Sequence, residues 1–185
     1  MPLVTLGCDV GSRYVGWAVL DDTLLAHGVW DLHETPDGWT PEAWLVSKVG
    51  RESWQGLRGT FQVALLAVEV FHWRRSQPVI PEAALIQRRV GALFALGRPH
   101  LTVVGYPAAT WMQAIMGWLP EVKLWGSKAW KGQVRDQVGR MLDYRWPPVK
   151  PGDPRFAHDS DAAGLALYAR DVALMAARIR ARERR

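Results

Sequence analysis

Residues 7–22 read GCDVGSRYVGWAVLDD, and this stretch decides how the chain begins to fold. From residue 3 the pattern alternates: Val4, Leu6, Cys8 and Val10 face one way and Thr5, Gly7 and Asp9 the other, which is the two-residue period of a strand. Gly11-Ser12-Arg13 supplies a turn into a second strand, Tyr14 to Leu20, and Asp21-Asp22 turns again into a third, Leu24 to Trp30. Strands joined by such short turns form an antiparallel meander.

Downstream the period changes. Residues 31–41 hold Pro36, Gly38 and Pro41 and read as a loop, and Pro41 to Thr60 reads as a weak helix interrupted by Gly50, Gly56 and Gly59. Phe61 to Val70 is almost unbroken apolar sequence with one acid, Glu69, as in a strand buried on both faces. Pro81 opens a helix with Ile86, Val90 and Leu93 on one face and Gly97 as its stop. Leu101 to Gly105 reads as a short buried strand and Ala108 to Met116 as a small helix. Gly126-Ser127 caps a helix to about Asp143 with Trp130, Val134, Val138 and Met141 as its apolar face. Lys128, Lys131 and Arg135 share the other face. Pro147, Pro148, Pro151 and Pro154 stiffen the connection to a last helix, from about Asp159 towards Arg182. The expectation is one α/β domain with a mixed sheet over residues 1–185, carrying a basic tail at about 178–185.

Size and composition narrow the function. At 185 residues the chain has room for a single core but not for two nucleotide-binding lobes, which argues against a two-lobed sugar kinase or chaperone-type ATPase. Mean hydropathy is −0.10, and no apolar run reaches the roughly 20 residues of a membrane helix, so a soluble chain is expected. The start lacks a basic segment ahead of the first strand, and a single cysteine, Cys8, excludes an internal disulfide framework and a cysteine-based zinc cage. A cytoplasmic location is the expectation. The net charge of +5 favours polyanionic partners, although the tail from Arg178 to Arg185 supplies much of it. Eleven tryptophans serve either packing or stacking on unpaired bases.

Three acids stand out against their surroundings. Asp9 lies near the end of the first strand, where Gly11 and Gly16 leave room for a phosphate or metal; the blander alternative is an acid that satisfies turn backbone. Glu69 is costly to bury in an apolar strand unless paired or metal-bound, or else it marks the exposed strand end. Asp161 falls by helical spacing on the stripe of Leu165, Tyr168, Val172, Met175 and Ile179, and helix capping would suit Asp159 or Ser160 better. His158, three residues earlier, is either structural, a metal ligand or a proton-transfer group. Carboxylates gathered in one place repel unless a divalent cation joins them, and oxygen ligands favour Mg²⁺ or Mn²⁺. Such a site suits phosphoryl transfer in which metal ions activate a water, here on the phosphodiester of a nucleic acid.

These segments resemble the RuvC family of Holliday junction resolvases within the RNase H-like superfamily. GCDVGSRYVGWAVLDD is similar to the family's opening Asp-Pro-Gly hairpin, with Val10 in place of proline. LLAVEVFHWRRS resembles its glutamate strand and loop, EAALIQRRVGALFAL the next helix, and HDSDAAGLALYA the closing helix. YPAATWMQAIMG and SKAWKGQVRDQVGRML are similar to the segments that carry DNA-contacting lysines, although WLPEVKLW replaces the usual glycine-rich spacing.

The resemblance implies an RNase H-like fold with a five-stranded mixed sheet, in a divergent, phage-type member. It implies that Asp9, Glu69 and Asp161 bind two Mg²⁺ ions with His158 in the fourth place, and that Lys123, Lys128 and Lys131 contact phosphate. An aromatic after the glutamate enters the junction centre in this family; here Phe71 and Trp73 both qualify. Arg74, Arg75 and Arg135 would add phosphate attraction. The implied activity is that of a homodimer nicking four-way DNA in opposed strands by metal-activated water, leaving 5′-phosphate and 3′-hydroxyl ends. Alternatives are an RNase H-like nuclease for flaps or RNA–DNA hybrids, and an inactive junction-binding module.

Overall fold

Strand β1 (Thr5–Val10) runs through the middle of a five-stranded sheet, and all six of its residues are buried. It pairs antiparallel with β2 (Tyr14–Leu20), which pairs antiparallel with β3 (Leu24–Asp31). On its other edge β1 pairs parallel with β4 (Leu65–Val70), and β4 parallel with β5 (Thr102–Pro107), giving the order β3-β2-β1-β4-β5. The computed structural model describes residues 3–55, 62–70, 81–118, 127–150 and 152–184, without the side chains of 52–55.

A short 3₁₀ turn (Leu32–Glu34) follows β3. The helices are α1 (Pro41–Gln55), α2 (Pro81–Phe94), α3 (Ala108–Met116), α4 (Lys128–Met141) and α5 (His158–Glu183). The strand alternation separates two cores. Leu6, Cys8 and Val10 join Val15, Leu66 and Val68 beneath Trp44 and Leu45 of α1 and Val90 and Leu93 of α2. Ala18, Leu65 and Ala67 pack on the opposite face against Trp111 of α3, Val134 and Val138 of α4, and Leu165 of α5.

Two glycines let α5 lie directly on the sheet. A Cβ at Gly7 would stand 2.1 Å from the Ala162 carbonyl oxygen, and one at Gly16 only 1.9 Å from that of His158. Because Asp9 shares a face with Gly7 and pairs with Gly16, this approach presses the first turn of α5 against Asp9. The glycines therefore set the depth of the site.

Several boundaries differ from expectation. The strand expected from Phe61 begins at Leu65, and the helix expected to reach Thr60 is described to Gln55; Phe61 and residues 56–60 lie outside the described residues. The short strand runs Thr102–Pro107, with Leu101 in a lone bridge to Arg98. Ser127 caps α4 as expected, its hydroxyl accepting from the Trp130 amide, but Met141 is exposed. The last helix starts at His158 behind Ala157, whose φ of 71° turns the chain sharply into it. Its predicted stripe is buried through Leu165, whereas Val172, Met175 and Ile179 are exposed. Among the described residues no helix is long and apolar enough to cross a membrane.

Candidate active site

Asp9, Glu69, His158 and Asp161 reach one region from three elements. Val68 is the β4 partner of Cys8, so the next residues, Asp9 and Glu69, stand side by side on parallel strands and face the α5 layer. His158 is the first residue of α5, and its Nδ1 donates to Asp9 Oδ2 at 2.5 Å. Asp161 follows on the same turn, with 2% of its surface exposed. Its Oδ2 lies 3.6 Å from Lys131 Nζ of α4, while its Oδ1 is buried without a hydrogen-bond partner among the described residues.

The electrostatics show how closely these groups are coupled. Loss of water is the larger cause that holds Glu69 well above the ordinary carboxylate range, and the charges of Asp9 and Asp161 push it further. Asp161 is pushed up to about 7, first by burial, with Lys131 pulling it down and Asp9 pushing it up. Burial opposes the charge on Lys131, but Asp161, Asp9 and Glu69 together outweigh it and raise its pKa. His158 is likewise disfavoured as a cation by burial and raised overall by its bond to Asp9. One ammonium and one imidazole thus face three carboxylates.

This donor set fits a hard divalent cation. All three acids offer oxygen, and the orphaned Asp161 Oδ1 would otherwise be a costly buried acceptor. Among the described residues no three such side chains form a ready-made metal cage.

The other expected site residues divide. Lys131 enters the carboxylate cluster, whereas Lys128 is exposed at the start of α4. Arg135, expected to share the basic face with Lys128 and Lys131, is buried, donating from Nη1 to Asp159 Oδ1 at 2.8 Å and from Nη2 to the Pro147 carbonyl at 3.2 Å. Its guanidinium stacks over Trp146 at 4.9 Å. Phe71, Trp73, Arg74, Arg75 and Lys123 lie outside the described residues.

Sequence reasoning missed the supports of the site. His27 donates from Nδ1 to Asp159 Oδ2 at 3.0 Å, and its Nε2 meets the Tyr144 hydroxyl at 2.8 Å. With Arg135, this anchors Asp159, the neighbour of His158 in the first turn of α5. Arg89 of α2, also buried, donates to the carbonyls of Gly11 and Ser12 and so fixes the turn after Asp9. The indole of Trp111 donates to Glu69 Oε2 at 2.9 Å. A polar His27 on an otherwise apolar strand was the one signal available in the sequence.

Solved structures of low sequence identity share this fold. RuvC from T. thermophilus in complex with a Holliday junction substrate aligns with a TM-score of 0.63 at 19% identity, over 94% of this chain and 96% of that one. A second Thermus thermophilus RuvC structure aligns with a TM-score of 0.63 at 20% identity over the same shares. The yeast mitochondrial Holliday junction resolvase Ydc2 aligns with a TM-score of 0.53 at 15% identity, over 90% of this chain and 77% of that one. The chain therefore has the RuvC-type, RNase H-like fold expected from its sequence. No protein-family model matches the chain, and no curated protein matches it.

Proposed function

We propose that this protein is a divalent-metal-dependent endonuclease that resolves four-way DNA junctions. The observation that carries the reading is the convergence of Asp9, Glu69 and Asp161 around Lys131, on the fold of two junction resolvases. Asp9, Glu69 and Asp161 would hold the ions, with His158 beside them. Mg²⁺ or Mn²⁺ bound there would supply positive charge to the scissile phosphate and the leaving oxygen.

The chain's own residues do the rest. Lys131 places an ammonium at the carboxylate cluster, where it attracts the phosphate and limits repulsion between the acids. His158 has Nδ1 committed to Asp9, which leaves Nε2 to hold or move a proton. Arg89 keeps the turn after Asp9 fixed, and the clamp on Asp159 keeps the first turn of α5 in place. Lys128, with Arg74, Arg75 and Lys123, would track the DNA backbone, and Phe71 or Trp73 would enter the junction centre. A homodimer would match the two-fold symmetry of the junction and nick opposed strands, in recombination and repair.

The test is incubation of labelled four-way junction, flap, RNA–DNA hybrid and linear duplex with Mg²⁺ or with EDTA. Paired symmetric nicks in the junction, leaving 5′-phosphates and absent in EDTA, are expected. Cleavage of the hybrid or flap alone would move the protein to another nuclease class, and metal-free binding without cleavage in any condition would leave an inactive junction-binding module.

A further inference from the structure

We infer that Trp111 is a positioning residue for Glu69, holding that carboxylate in the orientation in which it meets a divalent ion. The inference rests on the nuclease reading above and extends it to a residue outside the acid cluster. Trp111 has no exposed surface and is among the largest fully buried side chains described. A buried indole N–H needs an acceptor, and here the acceptor is an acid: Nε1 donates to Glu69 Oε2 at 2.9 Å. A hydrogen bond to a carboxylate is stronger and more directional than one to a neutral group.

The donor is rigid because the ring is clamped. Gly164 of α5 opens the slot: a Cβ there would stand 2.7 Å from Trp111 Cζ3 and 2.9 Å from Val138 Cγ2 of α4. The indole thus fills space that three helices leave between them, and its N–H points out of that packing at the end of β4. Glu69, by contrast, has a flexible side chain whose ordering would otherwise weaken ion binding. Fixing one oxygen in advance removes that cost, as partners behind metal ligands generally do.

The prediction is tested on metal binding without DNA or turnover. Mn²⁺ affinity is measured by electron paramagnetic resonance for the wild-type chain, Trp111→Phe, Glu69→Ala and the double variant, alongside junction binding and thermal melting in EDTA. Trp111→Phe is expected to weaken Mn²⁺ binding by about 10-fold, in the range found for groups that orient metal ligands, and to leave metal-free junction binding unchanged. In the Glu69→Ala background the same change is expected to alter Mn²⁺ affinity by less than about 2-fold, because its effect runs through Glu69. Should Trp111→Phe fail to fold, benzothienylalanine at position 111 keeps the ring shape, lacks the N–H, and is expected to show the same loss.

Unchanged Mn²⁺ affinity in either variant, or an equal loss in the Glu69→Ala background, overturns the inference and leaves Trp111 as packing. A wild-type chain that binds no Mn²⁺ overturns the nuclease reading as well. The two failures are therefore distinguishable.

Discussion

His158 Nδ1 lies 2.5 Å from Asp9 Oδ2, joining the first helical residue of α5 to the end of β1 across 149 positions of sequence. The contact is possible only because Gly16 carries no side chain, since a Cβ there would occupy the position of the His158 backbone. The same approach that builds the core also closes the site, so a change in how α5 seats on the sheet changes both.

That coupling gives the first prediction. Asp161→Asn preserves the size of the side chain and removes a charge from the cluster, so junction binding in EDTA should persist while cleavage falls by at least about 100-fold. His158→Gln should lower cleavage by about 100-fold if the imidazole moves a proton. Single-turnover cleavage and gel-shift titration separate the two effects. An unchanged rate in Asp161→Asn would remove that acid from the mechanism.

Glycine substitutions should split by position. Gly16→Ala forces α5 off the sheet and should cost more than about 2 kcal/mol, with cleavage lost along with stability. Gly91 lies inside α2, and among the described residues a Cβ there meets nothing within 4 Å. Gly91→Ala should therefore stabilise the chain by about 0.5–1 kcal/mol through helix propensity. Chemical denaturation reads both, and equal effects would contradict the packing described.

The parts of this arrangement that were legible in the sequence share one property: each is carried by local period or by an anomaly against it. The alternation through Val4 to Val10 put Asp9 on the face opposite Cys8 and Val10, and Asp161 declared itself as an acid on a buried stripe. Periodicity, however, states which face could be buried and not what covers it. Val172, Met175 and Ile179 continue the stripe of Leu165 and are exposed. Arg135 looked like part of a solvated basic face because its compensating groups, Asp159 and the Pro147 carbonyl, lie far along the chain. Trp111 and Glu69 are 42 positions apart, and no spacing rule links an indole to a carboxylate at that separation.

The clamp beneath the site should prove costly to break. Arg135→Met leaves Asp159 buried without its cation, a change that typically costs about 3–5 kcal/mol, or a fall of roughly 6 °C or more in melting temperature at this chain length. Arg135→Lys keeps the charge but not the forked contacts to Asp159 and Pro147, so it should restore only part of the loss. A melting temperature within about 1 °C of wild type for Arg135→Met would show that the network contributes little.

Stability without metal should fall as pH rises. Asp161 shifts from an ordinary carboxylate value to about 7, and Glu69 is raised as well. For such acids the folded chain binds protons more tightly than the unfolded one, so their contribution is complete below about pH 4 and is lost as pH climbs through the folded-state value. His158, also raised, acts in the same sense at higher pH. Asp31, Glu42, Asp153 and Asp159 are displaced downward, and their contribution disappears only in acid below about pH 4, outside this window. In EDTA the melting temperature should therefore drop by several degrees between about pH 5 and about pH 8. Mg²⁺ or Mn²⁺ binds the deprotonated acids, so its stabilising effect should be small at the lower pH and large at the higher one. Melting curves at both pH values, with and without metal, decide the matter, and a metal shift that is equal at the two would mean that the ion binds away from Asp161 and Glu69.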